Sequence, residues 1–451
     1  MRPALNQKLP LWGWLTYDFA NSSFATTILA VIFNHYFAEV VAGGDKGTFI
    51  GWKNWGIHLP GATVWSFLVS FATALVAVFL PFLGSVADKM GWHKRFFTFF
   101  CVLGVLSTTL LTTVNQGDVL WGGFVFTLAF IGFSAGNVFY NSFLLIITTP
   151  DKFGRISGYA WGLGYLGGGL CLALNLIMLK KPEWLGYSYG SLGPPETFLV
   201  AGWWWGLFAL PALLFLKSSA PSSEFREIYV SHSSHTFYGW KQAKVLFIQG
   251  WNKVYNTLKQ VKKYRSLFRF LIAYLFYNDG VETIIVMASI YGAEVVGMSS
   301  GEMVAYFLFI QATAMVGSLI FGKLADHIGH RNTLLIAVGV WLGVVVWAYE
   351  LGWVWDLKKD FYALGFLAGM VMGGSQSVSR SLQALLTPES MKGELFGFFA
   401  LSGKASAVIG PLTYGSAIAY MGGVKPAIII LAGFFLIGWL ILWTLKEPDK
   451  I

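Results

Sequence analysis

The sequence has few charged residues and few cysteines. Only 12% of its 451 residues are Asp, Glu, Lys or Arg, which is about half the share that is usual in soluble globular proteins. Its two cysteines, Cys101 and Cys171, lie in separate apolar runs, so we expect two small packing residues and neither a disulfide nor a metal site. The scarcity of charge excludes an ordinary cytosolic protein, a coiled coil and a disordered chain.

Apolar residues dominate instead. Hydrophobic residues make up 56% of the chain and include 20 Trp, and the chain has 52 Gly in addition. A transmembrane helix needs about 20 mostly apolar residues, so this composition supplies about twelve spans. The fold class that follows is an all-α membrane protein that crosses the bilayer many times.

Six predicted spans precede a long polar segment and six follow it. Windows of about 19 residues predict the first six at 11–38, 63–83, 96–114, 120–147, 157–179 and 197–216. They predict the second six at 266–292, 302–321, 333–353, 361–386, 396–420 and 424–445. We therefore expect an N-terminal six-helix bundle at 1–216, a linker at 217–265 and a C-terminal six-helix bundle at 266–451.

The basic residues predict the orientation. With both termini in the cytoplasm, the cytoplasmic segments hold 22 Lys and Arg and the outer loops hold 7, as the positive-inside rule requires. The net charge of +9 therefore reflects topology and does not indicate a nucleic-acid partner. The linker mixes basic residues with apolar ones such as Trp240 and Trp251, which predicts an amphipathic helix on anionic lipids. Its His232 and His235 lack further ligands, so we expect no zinc.

The two halves repeat each other. The loop Gly84-Ser-Val-Ala-Asp88-Lys-Met-Gly91-Trp-His-Lys94-Arg95 follows the second span, and Gly322-Lys-Leu-Ala-Asp326-His-Ile-Gly329-His-Arg331 follows the eighth. A second set of glycines recurs at nearly the same offset, with Gly154, Gly158 and Gly164 matching Gly393, Gly397 and Gly403. Parallel six-helix repeats are typical of transporters, whose binding site lies between the halves near the membrane midplane.

These loops resemble the signature of the major facilitator superfamily. An Asp in this position can accept hydrogen bonds from a neighbouring helix N-terminus or from a basic side chain. The resemblance implies that the loops lock the cytoplasmic side in one access state, with the gating residues Gly84, Asp88, Gly91, Arg95, Gly322, Asp326, Gly329 and Arg331. The alternative is a pair of solvated loops without a gating role.

A narrower resemblance covers almost the whole chain. It rests on Tyr17-Asp-Phe-Ala-Asn21-Ser-Ser-Phe, Asn278-Asp-Gly-Val-Glu282-Thr-Ile, Gly373-Gly-Ser-Gln376-Ser-Val-Ser-Arg380 and Phe399-Ala-Leu-Ser-Gly-Lys404. These motifs are similar to those of the vacuolar amino-acid effluxer-like, or "unknown major facilitator", family. The resemblance implies alternating access and makes an amino acid the leading cargo, because fungal members are linked to the release of amino acids from the vacuole.

Five ionisable residues fall inside predicted spans, where an unpaired charge is costly. Arg380 and Lys404 are candidates to hold a substrate carboxylate, because Arg offers a bidentate fork and Lys a point charge. Asp18, Asp279 and Glu282 are candidates for proton coupling, and any of them could instead hold a substrate ammonium group. The alternative is that the five charges only satisfy one another as structural ion pairs.

Several uncharged polar residues lie beside these charges. Asn21, Gln376 and the fourth-span set Asn137, Tyr140 and Asn141 are further substrate-binding candidates. Hydrogen bonding between helices is an equally good explanation for the fourth-span set. Trp12, Trp14, Trp65, Trp121, Trp353 and Trp355 fall near span ends, which is typical of interface anchors.

Together these features predict a secondary transporter, monomeric and multi-pass, in a bacterial inner membrane. The expected cargo is a small carboxylate-bearing solute, with an amino acid as the leading candidate, and its transport is coupled to protons. Sugars, peptides and cell-wall fragments are rival cargoes. A membrane sensor or scaffold on the same fold is the rival from another class. An enzyme is disfavoured because the sequence carries no Walker loop, metal-ligand cluster or nucleophile elbow, and we expect no cofactor.

Overall fold

The computed structural model describes residues 5–52, 55–217, 255–257, 264–298, 300–421 and 423–447. Most of the basic linker, and with it most of the predicted lipid-binding amphipathic helix and both of its histidines, lies outside these described residues.

Long helices form nearly all of this part. Because lipid cannot satisfy backbone N–H and C=O groups, a chain this apolar must pair them within helices. In the first half of the chain the helices are α1 (Leu5–Ser23), α2 (Gly61–Met90), α3 (His93–Leu110), α4 (Val119–Ser142), α5 (Phe153–Lys180) and α6 (Pro194–Phe215). In the second half they are α7 (Arg265–Glu294), α8 (Ser300–Ile328), α9 (His330–Tyr349), α10 (Leu357–Leu386), α11 (Lys392–Met421) and α12 (Ile430–Trp443).

Ten helical segments among the described residues are long and apolar enough to cross a membrane. Helices α10 and α11 are also long, at 30 residues each, but they are not among these ten. The all-α membrane class is thereby confirmed, while the count of twelve spans and the orientation of the termini stay predictions.

Two local features interrupt the regular helices in the first half. After α1 the chain continues as π-helix over Phe24–Val31 and again over Phe37–Val41, a conformation often found at functional sites. A two-stranded antiparallel hairpin then pairs β1 (Thr48–Trp52) with β2 (Trp55–Leu59), with Thr48 opposite Leu59. This hairpin is the one sheet in the described residues.

Side chains and special backbone angles set the helix ends. Gly91 and Gly329, which follow α2 and α8, have φ angles of 69° and 92°, in the left-handed region that favours glycine. At the start of α10 the Asp356 carboxylate accepts the N–H of Lys359 at 3.0 Å, as an N-cap does. The glycines at these two positions therefore account for the short turns that separate α2 from α3 and α8 from α9.

The chain divides into two compact units. The first comprises Met1–Val78, Lys94–Tyr140 and Leu163–Ser218. Its core is aromatic: the largest fully buried side chains there are Trp14, Tyr17, Phe24, Phe33, Phe37, Phe97, Phe126, Tyr140 and Trp205.

The second unit comprises Phe79–His93, Asn141–Gly162 and Ser219–Ile451. In it α7 packs against α11 and α12, α8 against α10, and α9 against α10 and α12. The unit thus includes the end of α2 and the start of α5, which belong to the first sequence half. Contacts between the two sequence halves can therefore be read within this unit.

One predicted interface anchor is buried. Trp14 has 0% exposure, its ring stacks on Tyr140 with centroids 4.8 Å apart, and its indole N–H donates to the Tyr140 carbonyl at 2.9 Å. The prediction that Trp14 lies at the membrane interface is wrong, because nearness to a span end does not show which way a ring points. Trp12, Trp121, Trp353 and Trp355 are exposed.

Candidate functional site

The first motif loop caps a helix of the other sequence half. The Asp88 carboxylate accepts the backbone N–H of Gly393 at 2.8 Å and that of Glu394 at 2.9 Å. These N–H groups belong to the first turn of α11, where the helix dipole attracts negative charge. The Nε2 atom of His93 lies 2.9 Å from Asp88 Oδ1.

The second motif loop does the same in the reverse direction. The Asp326 carboxylate accepts the N–H of Gly154 at 2.8 Å and that of Arg155 at 3.0 Å, in the first turn of α5. Of the two donors expected for a motif Asp, a helix N-terminus or a basic side chain, both carboxylates accept hydrogen bonds from a helix N-terminus. The gating role that the resemblance implies stays a prediction.

The motif glycines allow the backbones to approach. A Cβ atom on Gly84 would lie 2.1 Å from the Gly393 carbonyl oxygen, and one on Gly322 would lie 2.6 Å from that of Gly154. Either side chain would force the loop and the capped helix apart. Asp88 with Gly84, and Asp326 with Gly322, thus form two equivalent docking points, which we call the motif caps.

We expect Asp88→Asn to lower the transport rate while the affinity for cargo changes less than twofold. The substitution keeps one acceptor oxygen but removes the second acceptor and the negative charge at the helix N-terminus. This loss costs about 0.5–2 kcal/mol, enough to shift a conformational equilibrium by roughly 2- to 30-fold. Uptake into proteoliposomes and cargo titration of purified protein measure the two quantities. Asp151→Asn, an exposed acid in the turn before α5, is the control. Wild-type uptake by Asp88→Asn would remove the gating assignment.

Arg331, a predicted gating residue, docks on the last helix. Its guanidinium donates from Nε to the Leu442 carbonyl at 3.1 Å and from Nη2 to the Trp443 carbonyl, both in the last turn of α12, and its charge complements that helix C-terminus. Glu447 in turn accepts the N–H groups of His330 and Arg331 at the start of α9. Burial raises the pKa of Glu447, but the bonds and charge of His330 and the Arg331 N–H lower it more, so the net shift is downward.

Arg380 ties α10 to the start of α5. Its Nε donates to Ser157 Oγ at 2.9 Å, its Nη2 to the Ser157 carbonyl at 2.8 Å, and its Nη1 to Asn141 Oδ1 at 3.3 Å. Ser157 Oγ also donates to the Ser377 carbonyl at 2.6 Å, and the guanidinium lies 5.4 Å from the centre of the Trp161 ring. The side chain is 2% exposed. We call this arrangement the Arg380 tie.

A polar layer joins α10 to α7 as well. Gln376 donates to Asn278 Oδ1 at 3.1 Å, and the hydroxyls of Tyr277 and Ser379 lie 2.6 Å apart. Gln376 therefore contacts the motif that contains Asp279, rather than standing alone beside Arg380.

Asp279 joins α7 to α11. Its Oδ1 accepts the backbone N–H of Gly410 at 2.7 Å, and its side chain is fully buried. Its Oδ2 has no hydrogen-bond partner among the described residues. One oxygen of Asp279 therefore links α7 to α11, and the other is the atom on which the side chain can carry a proton.

Glu282 and Lys404 form an oppositely charged pair on the same two helices. Their opposite charges attract each other across the two helices, and both residues are half-buried. This pair is more accessible to solvent than Asp279, Arg380 and Ser157, which are all buried.

The remaining site candidates lie in the first unit. Asn21 donates to Asn137 Oδ1 at 2.6 Å, and the Tyr140 ring packs on Tyr17 with centroids 4.7 Å apart. Asp18 is buried, and its carbonyl accepts the Ser22 hydroxyl at 2.7 Å. The structure thus joins Asn21 to Asn137, while Asn141, predicted on the same helix face, lies in the second unit against Arg380.

Several residues of the site were not predicted. Ser157, Trp161 and Gly410 carry no motif in the sequence that would single them out.

The chain matches one family of transporters over nearly its whole length. The family described as "Vacuole effluxer Atg22 like" matches residues 6–450. An uncharacterized MFS-type transporter of Bacillus subtilis, YxiO, is 30% identical over 97% of this chain and 95% of its own length. Autophagy-related protein 22 of Kluyveromyces lactis is 24% identical over 80% of this chain and 74% of its own length.

Solved structures agree on the fold. The human organic anion transporter MFSD10 superposes with a TM-score of 0.66 at 16% identity and covers 98% of this chain and all of that one. The major facilitator transporter FucP in its outward conformation gives 0.65 at 10% identity, with 98% of this chain and 100% of FucP covered. The expected major facilitator fold is thereby confirmed.

Proposed function

Since the chain belongs to the vacuole effluxer Atg22-like family of major facilitator transporters, and is therefore a secondary transporter and not an enzyme, we propose that it carries amino acids with proton coupling. The observation that carries this proposal is the half-buried Glu282–Lys404 pair beside the buried Asp279.

The Glu282–Lys404 pair suits a zwitterion. An amino acid brings a carboxylate that Lys404 can hold and an ammonium group that Glu282 can hold, so the cargo replaces the attraction within the pair by two new attractions. A sugar has no charges to offer in exchange for this pair. A plain carboxylate would leave Glu282 without its cation, which costs free energy at membrane depth.

We assign the cargo carboxylate to Lys404 and not to Arg380. All three guanidinium nitrogens of Arg380 donate to Ser157 or Asn141, so a ligand would have to break bonds that join α10 to α5. Asp18, Asn21, Asn137, Tyr140, Asn141 and Gln376 stay candidates for contacts to the rest of the cargo.

Asp279 is the proposed proton carrier. When charged, it accepts a strong bond from the Gly410 N–H; when protonated, it accepts a weaker one. Protonation therefore loosens α11 from α7, and α11 is also the helix that carries Lys404 and whose N-terminus Asp88 caps. Protonation of Asp279 can therefore change the position of Lys404 in the Glu282–Lys404 pair and the strength of the motif cap at Asp88.

The test compares three related compounds. We expect wild-type protein in proteoliposomes to transport a free amino acid at least tenfold faster than its N-acetyl form, which lacks the ammonium group, or its decarboxylated amine. Glu282→Gln should lose the discrimination against the N-acetyl form, and Lys404→Gln the discrimination against the amine. Lys446→Gln, an exposed basic residue, is the control.

Two outcomes would contradict the proposal. If a mixture of all twenty amino acids shows neither uptake nor a shift in melting temperature, the cargo class is wrong. If the mixture binds without crossing the membrane, the protein is a sensor and not a carrier.

We also propose the plasma membrane of a bacterium as its location. The chain is an integral multi-pass membrane protein, and its Bacillus subtilis relative matches nearly its full length. A bacterium has no vacuole, so the family's description applies there only to the type of carrier. Fractionation of native membranes, with the protein detected in the inner-membrane band, tests this location.

A further inference from the structure

An open groove lies along the last turns of α9, at the end that the topology predicts to face outward. Its volume is about 530 Å³. One wall is α9 and the other is the loop that follows it, and the lining consists of Leu342, Gly343, Val346, Trp347, Glu350, Trp353 and Val354. All of these residues belong to the second unit.

The loop wall is held in place by a buried acid. The Asp360 carboxylate, with 0% exposure, accepts the N–H groups of Gly352 at 2.9 Å, Trp355 at 3.0 Å and Val354 at 3.4 Å. A carboxylate bound by several backbone N–H groups fixes the loop around it. The groove is therefore preorganised, since its loop wall cannot move without breaking these bonds.

The lining combines three chemistries. Leu342, Val346 and the open face of Gly343, above which a Cβ would meet nothing within 4 Å, offer apolar contact. The Trp353 ring is 81% exposed and can stack on a cation. Glu350 is exposed and has no ion pair among the described residues.

The surroundings indicate what fills such a groove. Helix α9 is one of the candidate membrane spans, so its outer turns stand at the boundary between acyl chains and headgroups, where tryptophans collect. The nearby Lys425 donates to the Leu351 carbonyl at 3.1 Å, which engages that cation at the loop. Because Lys425 is engaged at the loop, the carboxylate of Glu350 and the indole rings of Trp347 and Trp353 make the groove favour a positively charged group.

We propose that this groove binds a membrane lipid with a primary ammonium headgroup, an aminophospholipid such as phosphatidylethanolamine. Glu350 pairs with the ammonium group, Trp353 stacks on it, and an acyl chain lies over Gly343 and Val346. This site is separate from the Glu282–Lys404 pair and does not depend on the identity of the cargo.

Native mass spectrometry of the full-length protein tests the proposal, with phosphatidylethanolamine or phosphatidylglycerol of identical acyl chains as probes. We expect the first phosphatidylethanolamine to bind about fivefold more tightly than the first phosphatidylglycerol, the size of one exposed ion pair with a cation–π contact. Glu350→Gln should bring the two affinities within twofold, and Glu183→Gln, an exposed acid in another loop, should not.

A second pair of variants tests the place of binding. Gly343→Leu fills the groove and should weaken binding of both lipids about fivefold. Gly433→Leu, whose added Cβ also meets nothing within 4 Å but which lies on α12, should leave both affinities unchanged. Melting temperatures show that each variant is folded.

Three results would overturn the proposal. The first is equal affinity of the wild type for both lipids. The second is a preference for phosphatidylethanolamine that survives Glu350→Gln. The third is a preference for phosphatidylglycerol that disappears in Lys425→Gln, which would make the site one for anionic lipids.

Discussion

We expect Asp279→Asn to abolish uphill accumulation of cargo while exchange of cargo across the membrane continues. A pH gradient of one unit stores about 1.4 kcal/mol per proton, which sustains roughly tenfold accumulation with one coupled proton. An Asn cannot take up or release a proton, but its side-chain oxygen can still accept the Gly410 N–H that Asp279 accepts at 2.7 Å. The accumulation ratio should therefore fall to about 1.

Proteoliposomes loaded with unlabelled cargo measure exchange, and empty ones with an imposed pH gradient measure accumulation. Glu294→Gln replaces an exposed acid on the same helix and should accumulate cargo like the wild type. Accumulation that persists in Asp279→Asn would transfer the coupling role to Asp18 or Glu282. Accumulation that ignores the pH gradient in the wild type would replace protons by sodium or by facilitated diffusion.

The second large effect concerns the Arg380 tie. Arg380→Ala should lower both transport and stability, because it leaves the buried Ser157 hydroxyl and carbonyl without the donors at 2.9 and 2.8 Å. Each lost bond to a charged group costs about 1.5–3 kcal/mol in soluble proteins, and less within membranes. We expect a total loss of about 2–3 kcal/mol and a transport rate reduced at least tenfold.

Arg380→Lys distinguishes a structural role of Arg380 in the Arg380 tie from a role in binding the cargo carboxylate. Lysine keeps the charge but cannot reach Ser157 and Asn141 together or stack its head on Trp161 as a planar group does. We expect reduced transport and a lower melting temperature with cargo affinity within twofold of the wild type. Arg265→Lys, an exposed residue at the start of α7, is the control. A large loss of affinity with normal stability would instead make Arg380 the cargo ligand.

The motif caps show what sequence patterns predict well. A doubled Gly-x-x-x-Asp loop at one offset predicted tight turns and carboxylates at helix N-termini, and Asp88 and Asp326 are found there. Both features depend on local backbone geometry and on short spacings, which the sequence specifies directly. Apolar runs specified the helices for the same reason, since lipid leaves the backbone no other way to pair its polar groups.

Side-chain pairing across helices could not be predicted in this way. The repeat offset of 239 does match Asn141 with Arg380, which it contacts. Nothing in the sequence, however, singled out Ser157, which accepts two hydrogen bonds from Arg380. Trp14 was expected at an interface and is buried against Tyr140. Which neighbour a polar group meets depends on helix rotation and packing, and these are set by many contacts rather than by a spacing.

If Asp279 couples cargo to protons, then cargo added on one side of the membrane should itself move protons. A pH-sensitive dye is sealed inside proteoliposomes with no imposed pH gradient, and the amino-acid mixture is added outside. We expect cargo addition to change the internal pH, Asp279→Asn to eliminate this change, and N-acetyl amino acids to produce at most a tenth of it. Amino-acid uptake without any change in internal pH, in vesicles shown to be tight to protons, would contradict proton coupling.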